Sequence, residues 1–280
     1  MKFIHFGLQE VPPIGMGTWH MGENDSNSKE EIKALRTGIE HGLTLIDTAE
    51  MYGEGLAESL VGEAIKTYRR EELTIVTKVF PWNGGSNNVR TSLENSLKRL
   101  QTEYVDMYLL HWRGEIPLEE TVDAFEQLKK EGKIRAWGVS NFDVSDMEVV
   151  TAISNSCATN QVLYNLSSRG TEFDLQPWMN KKQMPMMAYT PLGQGDTLHA
   201  GFRQNTVLQE IADRHECSIF QLLLAWTIRS GNVIAIPQSS NKEHVVANAE
   251  AINITLSQED LEKMNKEYPA PSHKVPLEEL

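Results

Sequence analysis

Residues 73–111 read LTIVTKVFPWNGGSNNVRTSLENSLKRLQTEYVDMYLLH and contain the repeating unit of the fold. The stretch begins with the apolar run Leu73–Val79 and ends with a second run, Tyr104–His111. Both runs are short and lack polar alternation, which is typical of strands buried on both faces of a parallel sheet. Between them, Val89–Leu100 repeats leucine at helical spacing. The stretch therefore predicts one strand–helix–strand unit.

The same unit recurs along the whole chain. The other six apolar runs are Ile14–Thr18, Leu43–Asp47, Ile134–Ser140, Ala158–Val162, Met184–Tyr189 and Val233–Pro237. The eight runs start 29, 30, 31, 30, 24, 26 and 49 residues apart, and a βα unit occupies about thirty residues. Further helical periodicity covers Lys29–His41, Leu56–Tyr68 and Leu118–Lys130, with Gly42 and Gly132 at two predicted helix ends.

The long last interval predicts a loop around Leu192–Asn205 and two helices, Val207–His215 and Ile219–Arg229. Phe3–Pro12 predicts a short hairpin. The predicted fold class is thus α/β: a (β/α)8 TIM barrel in a single domain, residues 1–280, with an N-terminal β-hairpin and extra helices near the C-terminus. An open doubly wound sheet is the competing fold, but it usually carries G-x-G-x-x-G after its first strand. Here His20 stands where the third glycine belongs.

Composition narrows the functional classes. The net charge of −13 argues against a nucleic-acid surface, and no apolar run approaches the length of a membrane span. Cys157 and Cys217 lie far apart without metal or redox spacing. Neither the start MKFIHFGLQE nor the two cysteines indicates export. We therefore expect a cytoplasmic protein that acts on a small molecule. Its acidic surface shows no evident interface, so we also expect a monomer.

Polar side chains end most of the predicted strands, and the C-terminal strand ends of such a barrel meet at one mouth. The residues concerned are Asp47, Lys78, His111, Ser140, Asn141, Gln161, Tyr189 and Thr190, with Tyr52 in the loop after Asp47. Each alone has an ordinary structural explanation, such as a helix cap or a core histidine. Together on one rim, they favour a catalytic site.

The residue types suit acid catalysis on a carbonyl. A tyrosine hydroxyl has an ordinary pKa near ~10, and a neighbouring ammonium lowers that pKa by stabilising phenolate. Lys78 can supply the ammonium and Asp47 can hold it, while His111 can orient a carbonyl oxygen. A hydride would have to come from a cofactor. Other catalytic motifs are missing from the sequence, since it has no G-x-S-x-G, no H-E-x-x-H or other metal spacing, and no Walker A loop.

The order of these motifs resembles the aldo-keto reductases. The matching segments are Gly15–Trp19, Leu45–Gly53, Val76–Val79, Asp106–Trp112, Gly138–Phe142, Asn160–Val162, Tyr164–Asn165 and Ala188–Gly193. The resemblance implies reduction of aldehydes or ketones with NADPH, or NADH as well, by a tetrad of Asp47, Tyr52, Lys78 and His111 with Tyr52 as the acid. It is nearest to bacterial reductases of methylglyoxal-like or sugar-derived carbonyls. Members of the family are often monomeric, which also favours a monomer here.

The resemblance also implies a set of cofactor-binding residues. Ser140, Asn141 and Gln161 would hold the carboxamide, Tyr189 would stack on the nicotinamide, and Leu192–Gln194 would cover the pyrophosphate. The full implied set is Gly17, Thr18, Trp19, Asp47, Ser140, Asn141, Gln161, Tyr189, Thr190, Leu192, Gly193, Gln194, Ile236, Gln238, Ser239, Ser240, His244 and Asn248.

One segment departs from the family pattern. After the last strand the family usually reads Ile-Pro-Lys-Ser with an arginine six residues beyond that lysine, and these charges grip the 2′-phosphate of NADPH. This chain has Gln238 and His244 at those two positions, and Ala247 where a further acidic residue is usual. The departure predicts relaxed cofactor selectivity, with a weak NADPH preference or use of NADH.

Aromatic residues at the predicted mouth indicate an apolar substrate wall. The implied substrate-contacting residues are Trp19, Met51, Tyr52, Trp82, His111 and Trp112, whereas Trp137 and Trp226 are expected in the core. Such a wall suits aldehydes and α-keto-aldehydes. Two other functions stay open: a cofactor-binding regulatory subunit of the same fold, and a lyase or isomerase that uses Lys78 as a Schiff-base nucleophile.

Overall fold

The computed structural model describes residues 3–193 and 201–279. The chain starts with an antiparallel hairpin, β1 (Ile4–Phe6) and β2 (Gln9–Val11), as predicted. Within the described residues, eight parallel strands follow in sequential order. They are β3 (Met16–Gly17), β4 (Leu45–Asp47), β5 (Thr74–Val79), β6 (Val105–Leu110), β7 (Ile134–Ser140), β8 (Cys157–Leu163), β9 (Met186–Tyr189) and β10 (Val233–Ala235).

Helices connect these strands. They are α1 (Ser28–Glu40), α2 (Leu56–Ile65), α3 (Ser86–Leu100), α4 (Leu118–Lys130), α5 (Val144–Ile153), α6 (Leu175–Lys181), α7 (Thr206–Arg214), α8 (Ile219–Thr227), α9 (Lys242–Glu250) and α10 (Gln258–Glu267). The bounds of α4 match the sequence prediction, and Gly42 and Gly132 adopt the left-handed conformation after α1 and α4. No helix in the described ranges has both the length and the apolar character needed to cross a bilayer.

Hydrogen bonds between the first and last parallel strands close the sheet into a barrel. The Gly15 amide donates to the Ala235 carbonyl at 2.8 Å, and the Ala235 amide donates to Pro13 at 2.9 Å. The Gly17 amide donates to Pro237 at 3.0 Å. This closure confirms the predicted (β/α)8 barrel and excludes the open doubly wound sheet. Val233–Pro237 was predicted as one strand, but β10 ends at Ala235 because Pro237 has no amide hydrogen for a sheet ladder.

Two layers of apolar side chains fix the orientation of the barrel. The inner layer includes Leu45, Val76 and Leu109, and the hairpin residues Phe6 and Val11 pack against it at one end. A larger layer between strands and helices takes the alternate residues. The hairpin occupies the end where the strands begin, so polar residues on the inward-facing side can meet at the opposite, C-terminal end.

Gly138 lets β7 and β8 approach closely just before the polar rim. The β7–β8 register shifts by one residue between Trp137 and Val139. A Cβ added at Gly138 would lie 2.5 Å from the Thr159 carbonyl oxygen and 2.8 Å from its Cγ2 atom. The position therefore requires a residue without a side chain.

We expect Gly138→Ala to destabilise the barrel by about 1–3 kcal/mol, as overpacking does, and to lower the melting temperature by several degrees. Thermal unfolding followed by circular dichroism measures this effect. Gly201→Ala is the matched control, since a Cβ there meets no atom of the described residues within 4 Å. Equal melting temperatures for both variants would contradict the close-approach explanation.

Candidate active site

The predicted rim residues line one cavity of about 540 Å³ at the C-terminal end of the barrel. From the sequence-predicted set, the lining contains Gly17, Thr18, Trp19, Asp47, Met51, Tyr52, His111, Trp112, Ser140, Asn141, Gln161, Tyr189, Thr190, Leu192, Gly193, Ile236 and Gln238. Lys78 is fully buried next to Asp47 and Tyr52. Strand ends distributed over most of the chain thus converge on one space.

The ammonium of Lys78 joins an acid and a phenol at the base of this cavity. Its Nζ donates to Asp47 Oδ2 at 2.7 Å and to the Thr48 carbonyl at 2.9 Å. The same Nζ lies 3.1 Å from Tyr52 Oη. The remaining carboxylate oxygen of Asp47 accepts from Gln161 Nε2 at 2.7 Å. The predicted chain Asp47–Lys78–Tyr52 therefore exists as continuous hydrogen bonding.

Lys78 keeps its charge despite complete burial. Burial lowers the pKa of Lys78, but the opposing effects of Asp47 and Tyr52 are larger in sum, so the pKa stands above its ordinary value. Burial raises the pKa of Asp47 by more than Lys78 and Gln161 lower it, so this pKa also lies above its ordinary value. The ammonium is thus a fixed positive charge beside the phenol oxygen.

The direction of the Tyr52 shift corrects one sequence-based expectation. Lys78 does lower the pKa of Tyr52, as predicted, but burial of the phenol raises that pKa by more, and Asp47 raises it further. The net pKa lies above the ordinary value of 10.0. Tyr52 therefore remains protonated at neutral pH, with Lys78 placed to stabilise the phenolate once the proton leaves.

His111 lies beside the phenol as a neutral ring. The two ring centroids are 5.9 Å apart at an interplanar angle of 75°. Burial, together with the positive charge of Lys78, holds the pKa of His111 well below 6.5. Its Nδ1 atom is buried without a hydrogen-bond partner in the described part of the chain. At neutral pH the ring can donate one hydrogen bond without carrying charge.

Amide and hydroxyl groups form the opposite side of the cavity. Ser140 Oγ donates to the Gln161 carbonyl at 2.8 Å, and Tyr189 Oη donates to Asn141 Oδ1 at 3.0 Å. Asn141 Nδ2 in turn donates to the His111 carbonyl at 3.2 Å. Polar groups beside a partly exposed tyrosine ring fit the carboxamide and the flat ring of a nicotinamide, so the residues implied for that group suit it chemically.

Two non-glycine residues on this side have left-handed backbones. Asn141 has φ 59° and Thr190 has φ 51°. Asparagine tolerates this region, but a β-branched residue there is uncommon and strained. The Thr190 carbonyl accepts from Asn165 Nδ2 at 3.1 Å and from the Gly193 amide at 3.0 Å, which holds the strained turn. Sequence patterns do not report φ, so this feature was not predicted.

The aromatic wall is smaller than predicted. Trp19, Met51 and Trp112 line the cavity, but Trp82 does not and is 59% exposed. Trp82 instead stacks on Phe80, with ring centroids 4.3 Å apart, and contacts Trp112 edge-on at 5.7 Å. It therefore supports the wall from outside. Trp137 and Trp226 are buried in the core, as predicted.

Sequence reasoning missed four lining residues: His20, Pro191, Phe220 and Pro237. His20 stacks on Trp19 with centroids 4.3 Å apart, and its Nδ1 lies 3.1 Å from Glu23 Oε1. Its place directly after Trp19 was an available signal. Phe220 comes from α8, one of the two helices predicted after the last long loop, and nothing in the local sequence marked it.

The residues implied for the far end of the cofactor lie beyond the cavity. Ser239, Ser240, His244 and Asn248 are outside its lining, although Gln238 belongs to it. Asn241 caps α9, because its side chain accepts a hydrogen bond from the His244 backbone amide at 3.0 Å. The His244 side chain is exposed, and Asn248 is buried. Gln194 lies outside the described residues. No permanent positive charge occupies the positions of Gln238 and His244.

Comparison with known proteins agrees with this geometry. The profile of the Aldo/keto reductase family matches residues 13–268. Methylglyoxal reductase YeaE of Escherichia coli K12 is 51% identical over 280 residues, covering 99% of this chain and 98% of the relative. Glyoxal reductase of Bacillus subtilis is 36% identical over 265 residues, covering 94% of this chain and 90% of the relative.

A solved structure shows the same agreement. The aldo/keto reductase of Klebsiella pneumoniae in complex with NADP and acetate superimposes with a TM-score of 0.98 at 50% identity, covering 100% of this chain and 99% of the other. The reaction class predicted from the sequence, carbonyl reduction by hydride from a nicotinamide cofactor, is confirmed by these comparisons. The chain belongs to the aldo/keto reductase family.

Proposed function

We propose that this protein reduces small α-keto-aldehydes such as methylglyoxal to hydroxy-carbonyl products, as a monomeric single-domain enzyme of the cytoplasm. Tyr52 is the general acid in this proposal. The observation that supports it most directly is the buried chain Asp47–Lys78–Tyr52, which ends at the cavity with the Lys78 ammonium 3.1 Å from the phenol oxygen.

The proposed mechanism begins with placement of the carbonyl oxygen. Tyr52 Oη and the neutral ring of His111 lie side by side at the base of the cavity, so both can donate hydrogen bonds to one substrate oxygen. As negative charge develops on that oxygen, Tyr52 transfers its proton to it. Lys78 stabilises the resulting phenolate, and Asp47 keeps the ammonium in position.

The cofactor supplies the hydride when bound. Ser140, Asn141, Gln161 and Tyr189 would hold its nicotinamide end next to the acid. The strained turn at Thr190 would keep the nearby backbone in one conformation. Water is limited by the apolar side of the cavity, where Trp19 and Trp112 lie, and a drier site strengthens the hydrogen bonds to the developing oxyanion.

The substrate class rests on the cavity wall and on the relatives. Trp19, Trp112 and Met51 line the same cavity as Tyr52, and this apolar lining suits a short aldehyde with an adjacent carbonyl. Two relatives are a methylglyoxal reductase and a glyoxal reductase, and the alignment with this chain covers at least 90% of each. An aromatic α-keto-aldehyde would contact the same wall.

The test is oxidation of NADPH and NADH, followed at the nicotinamide absorbance, with methylglyoxal, phenylglyoxal and benzaldehyde. We expect carbonyl-dependent loss of reduced cofactor, fastest with the two glyoxals. Tight cofactor binding without turnover would favour a regulatory subunit instead. Inactivation by borohydride in the presence of a carbonyl compound would favour Schiff-base chemistry at Lys78.

In this assay, Tyr52→Phe should lower kcat by about 10²–10⁴-fold, the usual contribution of general acid catalysis, and leave cofactor binding nearly intact. Tyr108→Phe is the matched control, because the Tyr108 hydroxyl is buried without a partner among the described residues and its ring packs on Phe125 in the helix layer. If Tyr52→Phe keeps most of its activity, the assignment of the proton donor is wrong.

The pKa shifts predict a broad pH plateau for kcat/KM. His111 must be neutral and Tyr52 protonated, and the pKa of His111 is lowered from 6.5 while that of Tyr52 is raised from 10.0. The acid limb due to His111 should therefore lie below pH 6.5, and the alkaline limb due to Tyr52 above pH 10.0. An acid limb near pH 6.5 that is lost in a His111→Gln variant would contradict the burial of this ring.

The replacement of the family's lysine and arginine by Gln238 and His244 predicts comparable kcat/KM values for NADH and NADPH. Restoring charge with Gln238→Lys and His244→Arg should raise the NADPH-to-NADH ratio about ten-fold or more, since hydrogen bonds to charged groups contribute about 1.5–3 kcal/mol. Gln127 is exposed on α4, so Gln127→Lys is a control for the effect of an added positive charge away from the cavity. A thousand-fold NADPH preference in the unmodified enzyme would refute relaxed selectivity.

A further inference from the structure

The loop that carries the acid has an unusual backbone directly after Tyr52. Gly53, Glu54 and Gly55 have φ values of 56°, 54° and 92°, so three consecutive residues are left-handed. For Glu54 this conformation costs roughly 1–2 kcal/mol. Such a segment keeps its shape only where its surroundings hold it.

Arg99 of α3 lies directly against this segment. A Cβ added at Gly55 would lie 2.5 Å from Arg99 Nε and 2.6 Å from Arg99 Cδ, so the arginine side chain packs on the Gly55 backbone. Arg99 Nε also donates to Glu58 Oε2 at 2.6 Å. Glu58 is fully buried at the start of α2, one turn after the loop. The loop, α2 and α3 therefore meet at one ion pair.

The other oxygen of Glu58 is bound to the strand that carries Lys78. Thr77 Oγ1 donates to Glu58 Oε1 at 2.5 Å. Neighbouring residues of a strand point to opposite sides, so Thr77 faces the helices while Lys78 faces the barrel interior. These contacts close a ring. From Lys78 the chain leads to its neighbour Thr77, whose hydroxyl binds Glu58, and Glu58 binds Arg99. Arg99 packs on Gly55, three residues after Tyr52, and the ring closes through the 3.1 Å contact between Tyr52 Oη and Lys78 Nζ.

We propose that Glu58 and Arg99 are positioning residues for the reaction: the ion pair between the buried Glu58 carboxylate and the partly exposed Arg99 guanidinium sets the distance between the Tyr52 phenol and the Lys78 ammonium. Neither residue lines the cavity, and both act from the helix layer behind it. This inference rests on the proposed role of Tyr52 as the acid.

A purely structural role is the alternative. Removing one partner of this ion pair would also lower stability, because the Glu58 carboxylate is buried and would lose its counter-charge. A positioning role affects the rate of the reaction, whereas a structural role affects only the stability of the fold. A displacement of about 1 Å between reacting groups can cost about 10²-fold in rate. The two roles therefore predict different kinetic results for the same variants.

The experiment compares Glu58→Gln and Thr77→Val, each nearly isosteric, in the intact chain. Glu58→Gln removes the charge that holds Arg99, and Thr77→Val removes only the link to the Lys78 strand. Asp106→Asn is the matched control, because Asp106 Oδ2 pairs with Arg70 at 2.7 Å near the start of β6, at the other end of that strand from His111. Stability, cofactor Kd, KM, kcat and the pH profile are measured for each.

We expect Glu58→Gln and Thr77→Val to lower kcat about ten-fold or more, with the cofactor Kd within about two-fold of the parent. The alkaline limb of kcat should move to higher pH, since a more distant Lys78 stabilises phenolate less. Asp106→Asn should lose stability and keep kcat.

Retention of the parent kcat and pH profile by Thr77→Val or Glu58→Gln, whatever their stability, would overturn the proposal. If Glu58→Gln does not fold, the kcat and pH profile of Thr77→Val by themselves test the proposal. Failure of the proposed function gives a different result, since the unmodified enzyme would then show no carbonyl-dependent oxidation of cofactor.

Discussion

The burial of the Lys78 ammonium is the constraint on which the site depends. An unpaired charge in a protein interior is costly, so the fold must provide partners, and Lys78 has three of them in Asp47, Tyr52 and the Thr48 carbonyl. All three come from β4 and the loop after it. The same charge lowers the pKa of His111 and opposes the effect of burial on Tyr52. Burial is the larger cause of both pKa shifts, and the buried cation adds to it at His111 and opposes it at Tyr52.

Barrel closure is what brings these groups to one place. The bonds from Gly15 and Gly17 to Ala235 and Pro237 join the first strand to the last. The hairpin packs against one end of the interior, so inward-facing polar residues remain at the other end. There the Asp47–Lys78 pair on β4 and β5 meets the amide and hydroxyl groups on β7, β8 and β9 at a single cavity. Left-handed backbone conformations lie on the same rim, at Asn141, Thr190 and the segment after Tyr52.

Much of this arrangement was predictable because it depends on patterns that are local along the chain. Spacing of apolar runs predicted the strands, and polar residues near the strand ends, with Tyr52 in the loop after Asp47, predicted which side chains meet at the C-terminal end of the barrel. The bounds of α5, α6, α9 and α10 were not predicted. Apolar periodicity is weak in α5 and α9, and α6 has only seven residues, whereas α10 carries a clear amphipathic pattern that was available as a signal. Trp82 lies outside the cavity lining because distance along the chain from a strand end does not fix side-chain direction. Phe220 was missed because it reaches the cavity from a helix far along the chain.

By itself, the sequence determined the number of βα units, the family, and the residue types available for acid catalysis, since hydrophobic periodicity and motif order are properties of the chain. Only the tertiary structure decided that Lys78 bridges Asp47 and Tyr52, that burial outweighs Lys78 in the pKa of Tyr52, and that Glu58 joins the Lys78 strand to the Tyr52 loop. The physical reason is that distances and desolvation depend on contacts between residues remote in sequence, which form only when the barrel closes and the helices pack around it.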